Sequence, residues 1–423
     1  MTAPATRLAF TRAQTYLAAL LFAMILLNYL DRVVLSLVSP VMRLELGLSQ
    51  MQYAQAVNAF LLAYGFMYVG SGLILDRIGP RQGLALFVAC WSVVCVMHAS
   101  IAGFATLVLW RSLLGVAEPG GWTGAVKTIS RHFTAAQRGL ASSIFTMGSG
   151  IGQIIAPTLV VFVSLRYGWR SAFLISGVAG LIWIPIWLRV TKTAKPISGV
   201  DDRPVPLRDA LPRLLRNPRA LAFMGTRFFG DTTGYFFLFW LPEYLTSSKG
   251  FTMATVGKFG WIPMALSDLA TLGGGYFSSR LIAAGYPVLF SRKVAMTSAA
   301  VFVILGTMFQ AATGTWPVLA SVSLCTIAVG IWSANLHAVP ADAVDQKEVA
   351  SVHGLAGSAG AVGGILFNTL VGYLSARGNF FLVFVVLSML MPLGVAPLWI
   401  WMRDAVTPGL SATPAQISPQ DSR

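Results

Sequence analysis

Seven ionisable side chains fall inside otherwise apolar stretches of the chain: Asp31 and Arg32, Arg111 and Glu118, Arg227 and Asp231, and Asp268. An Arg or Asp at the centre of a spanning helix costs about 2.5 to 3.5 kcal/mol on insertion scales, so a chain that keeps several is using them. Two kinds of chemistry suit these residue types. A guanidinium in a low-dielectric cavity holds a carboxylate through two parallel hydrogen bonds. A buried carboxyl beside an arginine is pulled both ways, since burial favours the acid and the cation favours the anion, so it can load and unload a proton near neutral pH. Asp31 and Glu118 each have both influences available.

The spacings sharpen this. Asn28-Tyr29-Leu30-Asp31-Arg32 interrupts an apolar run that resumes at Val33-Val34-Leu35. On a helix Asn28 and Arg32 share a face, and Asp31 is turned about 100° from Arg32 toward a different neighbour. Arg111 and Glu118 lie seven residues apart, on one stripe and about 10 Å apart in depth, ahead of a bend at Pro119-Gly120-Gly121. The plainer reading is that Asp31–Arg32 and Arg111–Glu118 only neutralise each other. A buried ion pair is weak support for stability, however, and apolar replacements often do as well. Arg227 and Asp231, at i,i+4, form a possible intramembrane pair that a structural role explains equally well. The aromatic run after them, Tyr235 to Trp240, is mainly packing material in which Tyr235 offers a polar tip. Asp268 has no basic neighbour and must be protonated or paired across helices; its role stays open. His98, His132, His337 and His353 read as interfacial hydrogen bonders rather than proton relays.

Membrane-spanning helices must position these groups. The 423 residues are 56% hydrophobic and 11% charged, with mean hydropathy +0.71; soluble domains carry about 25% charged residues. The pattern predicts an all-α membrane protein with about twelve transmembrane helices in two six-helix bundles. The spans fall near 15–38, 52–75, 83–104, 106–128, 139–164, 171–190, 219–245, 254–278, 293–312, 316–338, 351–375 and 380–402. The polar stretch 191–218 separates an N-terminal bundle (1–190) from a C-terminal bundle and tail (219–423). With the N-terminus placed inside, 21 of the 30 Lys and Arg fall in inner segments and 6 in outer ones, which puts both termini on the cytoplasmic side of the cell membrane. The net charge of +15 is therefore a matter of topology, and no nucleic acid is expected. Cys90, Cys95 and Cys325 lie within apolar runs as packing residues. No metal site, cofactor, nucleophile–base pair or nucleotide-binding domain is expected, so the chain should not be an enzyme, nor be driven by hydrolysis. The first apolar run reads as a retained helix.

The segment Gly72-Leu73-Ile74-Leu75-Asp76-Arg77-Ile78-Gly79-Pro80-Arg81 matches the Gly-x-x-x-Asp-Arg-x-Gly-x-Arg loop of the major facilitator superfamily, and Gly275 to Arg280 echoes it in the second half. Within that superfamily, Asn28 to Arg32 together with Arg111 to Gly120 resembles the anion:cation symporter family. Arg227 to Pro242, and Asp268 ahead of Gly273-Gly274-Gly275, are similar to its hexuronate branch; Thr232-Thr233 depart from the bulkier or proline-containing pattern there. The resemblance implies proton-coupled import of a small organic anion, a hexuronate or aldonate above all, by a chain functional as a monomer. Asp31 and Glu118 would couple protons. Arg32 and Arg111 would serve the anion, with Tyr29, Tyr64, Gln153, Tyr235, Trp332, Ser333, Asn335 and Ser358 as further substrate contacts. Gly72, Asp76, Arg77, Gly79 and Arg81 would form the gating loop. Import of an aromatic or dicarboxylic acid, a drug/proton antiporter and a non-transporting sensor are the alternatives. Span 5 lacks the Gly-Pro dipeptide usual in drug exporters, and two arginines suit an anion better than a cationic drug.

Overall fold

The computed structural model describes residues 10–133, 135–194, 207–343 and 349–402. The middle of the expected linker, and basic residues such as Arg7, Lys195, Arg203, Lys347 and Arg423, lie outside them. Among the described residues every regular element is a helix.

Local chemistry sets the boundaries. Helix α1 (Arg12–Leu46) starts at Thr11, whose hydroxyl accepts from the Gln14 N–H in a capping box, and stops at Gly47 with φ 64°. Its 35 residues rise about 50 Å against a hydrocarbon core of about 30 Å, so it overruns the expected span. Helix α2 (Gln50–Met97) opens on a second capping box, Ser49 with Gln52, and contains two crossings. The break between them is Gly79, at φ 78°, followed by Pro80. A residue with a side chain rarely adopts that conformation, and proline tolerates the first turn of the next helix. The expected 72–81 loop is thus helical up to a one-residue reversal.

Helices α3 (Phe104–Ala117) and α4 (Pro119–His132) share one crossing, with Glu118 at their junction and Pro119 in the first turn of α4. Helices α5 (Ala135–Tyr167) and α6 (Trp169–Thr193) complete the first half, and α7 (Leu207–Leu214) lies in the connection. The second half comprises α8 (Pro218–Phe239), α9 (Leu241–Glu243), α10 (Met253–Phe259), α11 (Trp261–Ala283), α12 (Val288–Met308), α13 (Thr315–Leu336), α14 (Val339–Ala343), α15 (Val349–Ser375) and α16 (Phe380–Trp401).

Among the described residues, eight helical stretches are long and apolar enough to cross a membrane on composition alone; they lie in α1, the second half of α2, α5, α6, α12, α13, α15 and α16. The other crossings are the first half of α2, the α3–α4 pair, α8 and α11. Three of them carry Arg111 with Glu118, Arg227 with Asp231, and Asp268.

Packing follows two groups. Helices α1 to α6 pack chiefly on one another, as do α8 to α16, and the groups meet through α2 with α15 and α5 with α10 and α11. These are crossings 2 with 11 and 5 with 8, which a twofold relation between the halves exchanges, as expected of duplicated repeats around a central site.

Candidate functional site

The centre of the site is an ion pair made across helices. Arg32 of α1 donates through Nε and Nη2 to a single Glu118 oxygen, Oε2, at 2.9 and 2.5 Å. The partners are 86 residues apart in the chain, so neither of the in-sequence pairings, Asp31–Arg32 or Arg111–Glu118, describes the contact. Arg32 is buried at 7% exposure and Glu118 is at 0%. Aromatic rings surround the guanidinium: Tyr64 at 4.9 Å, Tyr29 at 5.1 Å and Phe60 at 5.6 Å from ring centroid to Cζ.

Arg111 sits over the other arginine's platform, 4.4 Å from the Phe60 centroid, with no exposure. None of its three nitrogens has a hydrogen-bond partner among the described residues, and neither does Glu118 Oε1. Buried polar groups are nearly always paired, so the surplus donors and the spare acceptor mark a site built for something further. The close approach of α3 to α2 depends on Gly115, where any side chain would run into the Phe60 carbonyl. Phe60 was not among the residues singled out from sequence. Its i,i+4 relation to Tyr64 placed both on one face of α2, and that was the available signal.

Asp31 points away from this pair, as its rotation on α1 requires. It lies beside Cys95 of α2 and Ser176 of α6. Their thiol and hydroxyl bond each other at 3.2 Å, and both Asp31 oxygens lack a partner in hydrogen-bond geometry among the described residues.

The second half contributes a stripe from α8. Arg227 donates to Asp231 Oδ2 at 2.7 Å from both Nε and Nη2. Tyr235, two turns from Arg227, completes the stripe and stacks on Phe239. Glycines of α15 make room for it: a side chain at Gly360 would meet the Asp231 carboxylate, and one at Gly364 the Tyr235 ring and Leu61. His353 of α15 faces Arg227 Nη1 at 3.4 Å and stacks on His337, Nε2 to Nδ1 3.1 Å. A small pocket opens between the halves, lined by Val33, Ser36, Gln153, Pro157, Leu241 and Met264 among others. Asp268 lies on the α5–α11 seam against Gly150, where a side chain would overlap its carboxylate.

Other expected contacts lie elsewhere. Trp332 is 2% exposed, wedged so tightly between α8 and α16 that side chains at Gly230 or Gly394 would strike its ring. Asn335 ties α13 to α11 through the Gly274 carbonyl at 3.3 Å. Ser333 is half-buried, and Ser358 bonds back to the Gly354 carbonyl at 3.3 Å. In the 72–81 segment Gly72 is half-buried, Arg77 and Arg81 are exposed, and Arg81 reaches the Leu188 carbonyl at 3.2 Å. The Asp76 side chain lies outside the described residues.

The halves are bonded toward the face where α1 ends, hereafter the far face. Arg43 pairs with Glu243 at 2.6 Å and Gln50 donates to the same carboxylate at 3.0 Å. Tyr53 donates to the Phe239 carbonyl at 2.7 Å, Asn58 to Thr369 at 2.8 Å, and Thr158 to the Gly257 carbonyl at 2.9 Å. Sequence reasoning missed this clasp, because a lone Arg43 in the last turn of α1 and a lone Glu243 in α9 carry no spacing signal.

A helical membrane protein of two packed halves, each holding an arginine–carboxylate pair, is the architecture of a secondary transporter. The Major Facilitator Superfamily model matches residues 21–368, and the chain belongs to that family. It is a membrane transporter and not an enzyme. The hexuronate transporter of Escherichia coli (strain K12) is 29% identical over 407 residues, covering 92% of this chain and 94% of that one. The probable L-galactonate transporter of the same strain is 31% identical over 296 residues, covering 67% and 65%. A crystal structure of a bacterial homolog to the human lysosomal transporter Spinster, inward-facing and unoccupied, has TM-score 0.75 at 17% identity, over 95% of this chain and 100% of that one. That likeness concerns the fold alone.

Proposed function

We propose that the protein imports a sugar acid, a hexuronate or aldonate, together with protons across the bacterial inner membrane. The observation that carries this is the Arg32–Glu118 pair, a buried guanidinium held by one oxygen of a carboxylate and ringed by tyrosines. An arriving carboxylate competes with Glu118 for Arg32. Once displaced, Glu118 is a charge without a partner in a low-dielectric site, and a proton stabilises it. Anion and proton binding thereby favour each other, which is symport by linkage. Tyrosine and glutamine side chains suit the hydroxyls of a polyol acid, and aromatic faces suit its apolar side. Sugar-acid relatives that align over most of the chain support the substrate class.

The positive-inside bias supports a cytoplasmic location for both termini; with that orientation the far face is external and the present conformation is closed to the outside. On this reading 1–190 and 219–423 rock as two bodies joined by 191–218, each chain working alone. Cysteines replacing Asn58 and Thr369, whose side chains touch at 2.8 Å, should cross-link and reduce uptake at least tenfold, with recovery on reduction. Efficient cross-linking with full uptake would sink the rocking model.

The function itself is tested in proteoliposomes with an imposed pH gradient. Accumulation of glucuronate, galacturonate or galactonate is the expected result. Accumulation only of aromatic or simple dicarboxylic acids would overturn the substrate class.

A further inference from the structure

Helix α2 carries Ser92, Cys95 and His98 at i, i+3 and i+6, so they form one stripe, and all three are buried. Facing them on α6 is a matching stripe. Phe173 stacks on the His98 ring at 5.1 Å, Ser176 bonds Cys95 at 3.2 Å, and Gly177 and Gly180 lie so close to Ser92 that side chains there would overlap it. The third wall is α1, with Asn28 and Asp31 at i,i+3, also buried. Six side chains on three helices thus make a polar seam inside the N-terminal bundle, rising to the far-face end of α2 at His98.

The seam is rich in unpaired atoms. Ser92 Oγ, His98 Nε2, both amide atoms of Asn28 and both oxygens of Asp31 lack a partner in hydrogen-bond geometry among the described residues. Groups of this kind, grouped and polar, are what a file of ordered water satisfies. His98 Nδ1 lies 2.8 Å from the Val94 carbonyl, to which only an N–H can bond, so the neutral ring presents an Nε2 lone pair. The charged groups facing the seam are Arg111, beside His98 and Cys95, and Glu118, toward Asp31. Asp31 belongs to the seam, whereas Arg32 and its tyrosines belong to the space between the halves.

We infer that protons reach Asp31 from the far face through this seam, by a route separate from the one the sugar acid takes. His98 is itself buried, so a proton comes to its Nε2 through ordered water at the far-face end of the seam, leaves that same atom to the water file, and ends on a carboxylate oxygen of Asp31. The inference rests on the proton-coupled reading above and extends it by naming the inlet.

Two substitutions test it in proteoliposomes. His98→Phe keeps the stacking on Phe173 and removes the relay, and Ser176→Val makes the narrowest part of the seam apolar. Each should slow pH-driven glucuronate uptake at least tenfold while leaving glucuronate counterflow exchange, which needs no net proton delivery, within twofold of the parent. Exchange and driven uptake falling together, or neither changing, overturns the seam. Asp31→Asn is the separate check on the underlying reading: if that variant still accumulates glucuronate under a pH gradient alone, coupling through Asp31 is wrong, whatever the seam variants do.

Discussion

Glu118→Gln should abolish accumulation driven by a pH gradient, lowering the initial driven rate at least a hundredfold, while counterflow exchange survives. Glutamine keeps an oxygen that can accept from Arg32 but cannot carry the proton. The exchange measurement matters because the residue is at 0% exposure and its partner at 7%. Stripping one side of a fully buried pair costs about 3 to 5 kcal/mol, and a variant that merely unfolds would lose both activities. Retained exchange with lost accumulation separates coupling from stability. Accumulation to the parent's ratio in Glu118→Gln would remove this carboxylate from the coupling.

Arg32→Lys should have an effect of similar size on a different quantity. Lysine preserves the charge and loses the planar fork, so it cannot offer an arriving carboxylate the parallel donors that it takes over from Glu118. A hydrogen bond to a charged group is worth about 1.5 to 3 kcal/mol, which amounts to roughly ten- to a hundredfold in apparent affinity. The aromatic cluster adds to the loss, because guanidinium stacks on the rings of Tyr29, Phe60 and Tyr64 better than ammonium does. The half-saturating concentration of glucuronate in exchange should rise by that factor. A parental value in Arg32→Lys would show that the anion binds elsewhere, and Arg111, whose guanidinium has no hydrogen-bond partner among the described residues, would become the site to test by the same substitution.

The intramembrane charges were legible in the sequence because lipid makes them expensive, and an expensive residue in an apolar run is conspicuous. Their direction was partly legible too: the 100° between Asp31 and Arg32 on α1 does send them to different neighbours, Cys95 with Ser176 and Glu118 respectively. Partner identity was not legible. Helical spacing constrains one helix face, whereas the Arg32–Glu118 contact depends on how α3 is set against α1 and α2, which Gly115 controls through a close approach invisible in a pattern of residue types. The C-terminal contacts show the same limit. Trp332 and Asn335 were read as offered to substrate on the strength of resemblance, and they lie packed between helices of their own half. His98 looked like an interfacial hydrogen bonder, yet its surroundings on α6 make it the end of a buried polar stripe. Asp268, with no neighbour to explain it, rests against Gly150 at the meeting of the halves.

The competition between anion and Glu118 for Arg32 can be measured without transport. Purified protein in weakly buffered detergent solution, with a pH indicator present, should take up protons when glucuronate at matched pH is added, and the uptake should saturate with the sugar acid. The same addition to Glu118→Gln should give a clearly smaller proton uptake. Saturable glucuronate binding to the parent with no proton uptake, or uptake of equal size in Glu118→Gln, would contradict the account.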